Sequence, residues 1–123
     1  MNDPLQYPNE RIPQPSDWQT LYVIFLHRVQ ASTNEQASVM EQHTQYQLRL
    51  QASGKAVAAG ELSQGQENHL VTHELAGMTI LRAVSQQEAE AIISADPAIR
   101  AGIFTAEVRS WRIPAGRILP GGW

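Results

Sequence analysis

Two of the four histidines, His69 and His73, lie four residues apart and are followed directly by Glu74. Residues four apart on a β-strand lie on the same face, so these two imidazoles could bind one metal ion. Helical zinc sites place a glutamate between the two histidines, whereas Glu74 follows the pair. The spacing fits a polar edge strand or hairpin better than a metal site, and we expect no resident metal or cofactor.

A third histidine, His43, lies on an apolar helical stripe with Val39, Tyr46 and Leu50. Free imidazole titrates at about pH 6.5, so a histidine can accept and return a proton near neutral pH. A histidine on such a stripe is also often a core residue whose hydrogen bonds are satisfied inside the protein. The pattern leaves both interpretations open.

Other polar side chains could line a pocket, or could form a solvated face and ion pairs. They are Tyr46, Glu61, Arg82, Glu107 and Arg109. We expect the first three of them to contact a substrate. No glycine-rich phosphate loop and no Ser-His-Asp signature is present. The absence of cysteine excludes disulfides, thiolate catalysis and cysteine zinc sites.

Composition restricts the class of protein further. With 123 residues, of which 42% are hydrophobic, the chain is long enough for one core and too short for two domains. The net charge is −3 and Lys55 is the only lysine, which argues against a nucleic-acid partner. No apolar run approaches the roughly 20 residues of a membrane span. We expect a cytoplasmic protein without a membrane partner, or a periplasmic one if a signal peptide has been removed.

The last third of the chain predicts a capped helix, a turn and a strand. Ser85 and Glu88 have the spacing of a capping box, in which each side chain satisfies a backbone donor at the helix start. Asp96 directly precedes Pro97, a pairing that suits an N-cap and the first position of a helical turn. Residues 104–111 then alternate with the period of a β-strand.

The preceding residues predict three strands and one helix. Ser32 and Glu35 have the spacing of a second capping box, and Gly54 is the matching helix stop. Strands are expected at 18–26, 56–62 and 78–84, with a polar turn at 63–68 and an alternative additional strand over HLVTHEL (69–75). The resulting order, βαββαβ, is that of an α+β domain.

The first strand is apolar on both of its faces. Leu21, Val23 and Phe25 alternate with Tyr22, Ile24 and Leu26. A layer of helices covers only one face of a sheet, so we expect the sheet of a second copy to cover the other. Residues 1–17 and 114–123 read as an arm and a tail around a domain at 18–113, and at least one of them is expected to contact that second copy.

The order of motifs resembles the YciI-like (YCII-related) family. In the C-terminal half the resemblance lies in the helix, the sequence ADP (95–97), Gly102 and a strand ending at Trp111. In the N-terminal half it lies in HTQYQL (43–48), SGK (53–55) and AAGEL (58–62). The resemblance covers residues 21–113. It implies a ferredoxin-like βαββαβ domain that pairs into a dimeric α+β barrel.

The resemblance also implies a site. His43 and Asp96 match the family's proposed pair, with His43 as general acid and base and Asp96 as the residue that orients it. Three positions depart from the family pattern. Met40 stands where an arginine is expected, Glu61 replaces a proline, and Ala98 replaces a bulky residue. The missing arginine argues against an anionic substrate.

Two classes of function follow. The first is a cofactor-free enzyme of proton-transfer type, such as a lyase, isomerase or dehalogenase, that acts on a small organic molecule through His43 and Asp96. The second is a binding or interaction module that uses the same cleft without turnover. A cofactor-free monooxygenase is a third and weaker alternative. His43 and Asp96, which match the family's proposed pair, favour the enzyme interpretation. Met40, which replaces the expected arginine, favours the binding or interaction module.

Overall fold

The computed structural model describes residues 14–63 and 74–116, and the structural statements below refer to those two ranges. Four strands form one antiparallel sheet in the order β2-β3-β1-β4. The strands are β1 (Gln19–Arg28), β2 (Ala56–Glu61), β3 (Glu74–Leu81) and β4 (Phe104–Ile113), and the helices are α1 (Ala37–Ala52), α2 (Gln86–Ser94) and α3 (Pro97–Arg100). This arrangement confirms the predicted ferredoxin-like α+β fold.

The main core lies between the helices and one face of the sheet. Its buried members include Tyr22, Ile24, Leu26, Leu50, Leu81, Ala89, Ile93, Ala98, Ile103 and Phe104. On the opposite face, which we call the outer face, a smaller cluster joins Leu21, Val57 and Ile113 to Ile80. The helices therefore cover only one of the two apolar faces that the sequence of β1 predicts.

Two of the predicted helix starts are formed by side-chain caps. The backbone N–H of Glu88 donates to Ser85 Oγ at 3.1 Å at the start of α2. The backbone N–H of Ala98 donates to Asp96 Oδ1 at 2.8 Å at the start of α3. Both bonds satisfy donors that the first turn of a helix leaves without a partner.

The predicted capping box at Ser32 and Glu35 is wrong. The helix α1 begins at Ala37, after a 3₁₀ turn at Asn34–Gln36, and neither start carries a side-chain cap. Instead, the Gln36 side chain donates to the carbonyl of Ala31 at 3.0 Å. This hydrogen bond connects the turn to Ala31 in the preceding loop.

The predicted boundaries of the third strand are also wrong. We expected residues 78–84, whereas β3 is Glu74–Leu81. The reason is pairing, because β1 continues to Arg28 and its last residues pair with Glu74 and Leu75. Part of the HLVTHEL segment therefore belongs to β3.

Several predicted features lie outside the described residues. They are His69, His73, most of the turn at 63–68, the arm up to residue 13 and the tail from residue 117. The described end of the arm forms a 3₁₀ turn at Pro15–Asp17. There Arg112 Nη2 donates to the carbonyl of Pro15 at 2.7 Å, so this turn rests against β4.

None of the helices in 14–63 and 74–116 combines the length and the apolar character needed to cross a membrane.

The turn after α1 depends on a left-handed glycine. Gly54 has φ +79°, and a Cβ built there meets no atom within 4 Å. We expect Gly54→Ala to lower the free energy of unfolding by about 1 kcal/mol, because backbone strain is the sole cost. Gly60→Ala is the matched control, since its Cβ also meets no atom but its φ is not positive. Equal losses of stability in urea melts of the two variants would contradict this explanation.

Candidate active site

The structure brings His43 and Asp96 into direct contact. His43 Nδ1 lies 2.9 Å from Asp96 Oδ1 and 2.6 Å from Oδ2. The side chains are 8% and 1% exposed, so the pair is almost completely removed from solvent. His43 comes from the middle of α1 and Asp96 from the start of α3, and the packing of these helices brings the two together.

The backbone holds the Asp96 carboxylate in place. The residue has extended dihedral angles, φ −63° and ψ 129°, and caps α3 through the N–H of Ala98. Backbone and histidine donors together compensate for the burial of its charge. The cap and the contact with His43 are therefore made by one side chain.

The hydrogen-bond partner of Nδ1 determines which nitrogen of His43 can act as a base. An ionised carboxylate only accepts hydrogen bonds, so Nδ1 carries the hydrogen and donates to Asp96. Nε2 is then the basic nitrogen of the neutral ring. The Phe104 ring packs against the imidazole edge-on, with centroids 5.4 Å apart and an interplanar angle of 74°. This packing limits rotation of the imidazole.

His43 lines a cleft of about 210 Å³ between α1 and the sheet. Its lining residues are Leu26, Arg28, Met40, His43, Thr44, Gln47, Gly60, Glu61, Leu62, Glu74, Ala76, Gly77 and Phe104. Pockets for drug-sized ligands are usually larger, roughly 300–1,000 Å³. The size suits a ligand with one ring or a short chain.

Two glycines keep one side of this cleft free of side chains. A Cβ at Gly77 would lie 3.1 Å from the carbonyl oxygen of Gly60 and 3.5 Å from Leu26 Cδ1. A larger residue at position 77 would have to displace the backbone of the neighbouring strand. Glycine therefore keeps both the strand spacing and the volume of the cleft.

The three predicted substrate contacts lie in different places. Glu61 lines the cleft beside His43. Arg82 lines a separate cavity of about 610 Å³ and donates from Nη1 to the carbonyl of Gly54 at 3.2 Å. Tyr46 is absent from the cleft lining, and its hydroxyl donates to the carbonyl of Ile92 at 2.6 Å. Substrate contact by Tyr46 or Arg82 stays a prediction.

Tyr46 supports the site by joining helices. Its hydroxyl bond connects α1 to α2, close to the Asp96 turn. Burial raises the pKa of the Tyr46 phenol, and the negative charge of Asp96 raises it further, while Arg49 acts in the opposite sense. The phenol therefore remains a neutral hydrogen-bond donor across the physiological range.

Glu107 and Arg109 form an ion pair on the outer face. Arg109 donates from Nε and Nη2 to Glu107 Oε2, at 2.9 and 2.7 Å. His27 Nε2 lies 3.7 Å from the other carboxylate oxygen. The hydrogen bond and charge of Arg109 lower the pKa of the Glu107 carboxyl, with a smaller contribution from His27. Neither residue of the ion pair lines the cleft.

Sequence reasoning missed Arg28 and Phe104 as residues of the cleft. The first strand was expected to end at Leu26, two residues too early. Had its alternation been continued, Arg28 would have been placed on the same face as Leu26. Phe104 was predicted as a strand residue, and sequence alone gave no signal that it packs on His43.

Metal binding finds no support in these residues. Within 14–63 and 74–116, no group of three or more histidine, cysteine, aspartate or glutamate side chains is placed to hold a metal ion.

The fold and the site together define a ferredoxin-like α+β protein with a buried His-Asp pair at the wall of a small cleft. The model of the YCII-related domain matches residues 20–112. The chain therefore belongs to the YCII-related family. No functionally curated protein matches it in sequence.

A similar solved structure is that of TftG, the 5-chloro-2-hydroxyhydroquinone dehydrochlorinase of Burkholderia phenoliruptrix AC1100, in complex with 2,5-dihydroxybenzoquinone. The match has a TM-score of 0.57 and 22% sequence identity, and it covers 74% of this chain and 92% of that one. At this identity the likeness shows the fold.

Proposed function

We propose that the protein is a cofactor-free enzyme of proton-transfer type that acts on a small organic molecule. His43 is the general base and Asp96 orients it. The observation that carries this proposal is the buried contact between Nδ1 and the Asp96 carboxylate at the wall of a cleft. A core histidine would satisfy its hydrogen bonds without facing a cleft.

The proposed reaction begins with removal of a proton from carbon. His43 Nε2 takes the proton, and the electrons of the C–H bond form a new C=C bond. In an elimination the leaving group departs with its own bonding pair. In an isomerisation the π electrons of an adjacent C=O or C=C bond move to its far oxygen or carbon, and that atom takes the proton. The Asp96 carboxylate stabilises the imidazolium that forms, and the imidazolium then passes the proton to product or to water.

TftG supports an elimination in particular. Its name describes loss of hydrogen chloride from a single-ring substrate, and its structure holds a single-ring dihydroxyquinone. A cleft of about 210 Å³ suits a compound of that size.

The proposal can be tested without knowing the natural substrate. We expect the protein to accelerate hydrogen–deuterium exchange at acidic C–H positions of some single-ring hydroxyquinones and keto acids in D₂O, followed by proton NMR. A parallel assay with 5-chloro-2-hydroxyhydroquinone measures chloride release. For each compound on which the wild-type protein is active, His43→Gln should lower the rate of exchange or of chloride release by about 10²-fold or more, because the proton acceptor is lost.

Thr44→Ala is a suitable control, since Thr44 also lines the cleft and its hydroxyl donates only to the carbonyl of Met40. It should keep the wild-type rate within a few-fold. If the wild-type protein exceeds His43→Gln on none of these compounds, the enzyme proposal is overturned. The binding module would then be the better interpretation.

A further inference from the structure

Arg28 places a positive charge in the cleft from the side of the sheet. It is the last residue of β1 and pairs with Phe104 on β4 and with Glu74 on β3. Both neighbours also line the cleft. Helix α1 contributes the uncharged Met40 where the family pattern has an arginine, so Met40 alone does not argue against an anionic substrate once Arg28 is counted in the same cleft.

The guanidinium of Arg28 is held in a fixed position. Its Cζ lies 5.1 Å from the centroid of the Phe104 ring, and Nη1 donates to Gln36 Oε1 at 3.2 Å. Gln36 is itself fixed by its bond to the carbonyl of Ala31. A cation fixed beforehand in this way loses little entropy when it binds a ligand.

The charge of Arg28 is not neutralised by an ion pair with any residue in 14–63 or 74–116. Among the described residues, no carboxylate oxygen lies within 4.0 Å of its guanidinium nitrogens. A guanidinium has five N–H donors, and Gln36 accepts from only one of its nitrogens. Paired donors therefore remain for an oxyanion, for which the flat guanidinium is well suited.

Arg28 and His43 lie against the same ring. The Phe104 centroid is 5.1 Å from Arg28 Cζ and 5.4 Å from the imidazole centroid. Because both groups also line the cleft, a small ligand bound there can contact the cation and the base together.

We propose that Arg28 binds an oxyanion of the substrate, so that the cleft takes a small monoanion with a carboxylate or an equivalent acidic oxygen. The inference deepens the proposed function and rests on His43 being its base. The carboxylate of Glu61 also lines the cleft and disfavours a second negative charge. With the anion held at Arg28, the carbon to be deprotonated is directed toward His43 Nε2.

Three probes of one shape separate charge from size. Benzoate is a single-ring monoanion, benzamide is its neutral analogue, and benzylammonium is a single-ring cation. We expect benzoate to bind at least about tenfold more tightly than either of the others, as measured by isothermal titration calorimetry. Arg28→Met should abolish this preference, and Arg28→Lys should keep part of it.

Arg100→Met is the matched control, because Arg100 is exposed at the end of α3 and does not line the cleft. It should bind benzoate as the wild-type protein does. Equal affinity for benzoate and benzamide, tighter binding of benzylammonium, or an Arg28→Met variant that keeps the preference would overturn the inference.

This outcome is separable from that of the proposed function. His43→Gln should lose proton exchange yet retain the Arg28-dependent preference for benzoate. If benzoate binds through Arg28 but no compound shows exchange, the enzyme proposal fails and anion recognition stands. If exchange depends on His43 but no anion preference depends on Arg28, the enzyme proposal stands and the inference about Arg28 fails.

Discussion

Replacing Asp96 with alanine should lower the free energy of unfolding by about 2–4 kcal/mol. The variant loses the bond that caps α3 through the N–H of Ala98. It also leaves the Nδ1–H of His43 buried without an acceptor, since that group bonds only to Asp96 among the described residues. Urea melts followed by circular dichroism measure the loss.

Asp96→Asn separates the structural role from the chemical one. Asparagine caps helices about as well as aspartate, so we expect the fold to remain and the stability to fall by only about 1 kcal/mol. A neutral amide stabilises an imidazolium much less than a carboxylate does. Proton exchange should therefore fall more than tenfold, although the loss of stability is small.

The hydrogen bond of His43 in this variant gives an independent readout. A bond from Nδ1–H to an ionised carboxylate is shorter and stronger than one to a neutral amide, so the proton of the wild-type ring should resonate further downfield. Proton NMR of Nδ1–H in the wild-type protein and in Asp96→Asn measures this difference. Superimposable signals would mean that Asp96 is only a helix cap and would remove its proposed role.

The elements around this site were largely predictable, because their signals are local. The Asp96-Pro97 pair and the alternation of 104–111 each depend on a few neighbouring residues, and the structure forms a helical turn and a strand there. The contact between His43 and Asp96 joins residues 53 positions apart. No spacing rule gives such a contact, and only the family resemblance connected the two residues.

Local signals also failed where packing overrode them. Ser85 and Ser32 are each followed three residues later by glutamate, yet only Ser85 caps a helix. After Ser32 the chain enters a 3₁₀ turn in which Gln36 bonds back to the loop. Arg28 was missed for a similar reason, because the length of β1 is set by its two neighbouring strands and not by its own sequence.

The outer face of the sheet has an apolar groove that the helices do not cover. The groove is lined by Val23, Phe25, Met78, Ile80, Arg109, Ser110 and Trp111 and has a volume of about 430 Å³. Trp111 is 41% exposed, so a large part of this aromatic side chain faces solvent. A contiguous apolar surface of this kind is typical of an interface.

We propose that a second copy of the chain covers the outer face, as the resemblance to dimeric α+β barrels implies. The same surface on both copies can pack on itself about a two-fold axis. The charged residues at its border do not oppose this arrangement, because Arg109 and Glu107 already neutralise each other. Both apolar faces of β1 would then lie in a core.

An aspartate in the centre of this face should disrupt the dimer. We expect the wild-type protein to be a dimer at micromolar concentration by light scattering, and Phe25→Asp to be a monomer. Burying an unpaired carboxylate costs several kcal/mol, which weakens association by more than about 10²-fold. Val84→Asp is the control, since Val84 is 88% exposed and lies outside the groove. It should remain dimeric. A monomeric wild-type protein, or a Phe25→Asp variant with the mass of a dimer, would show that the outer face is not the interface.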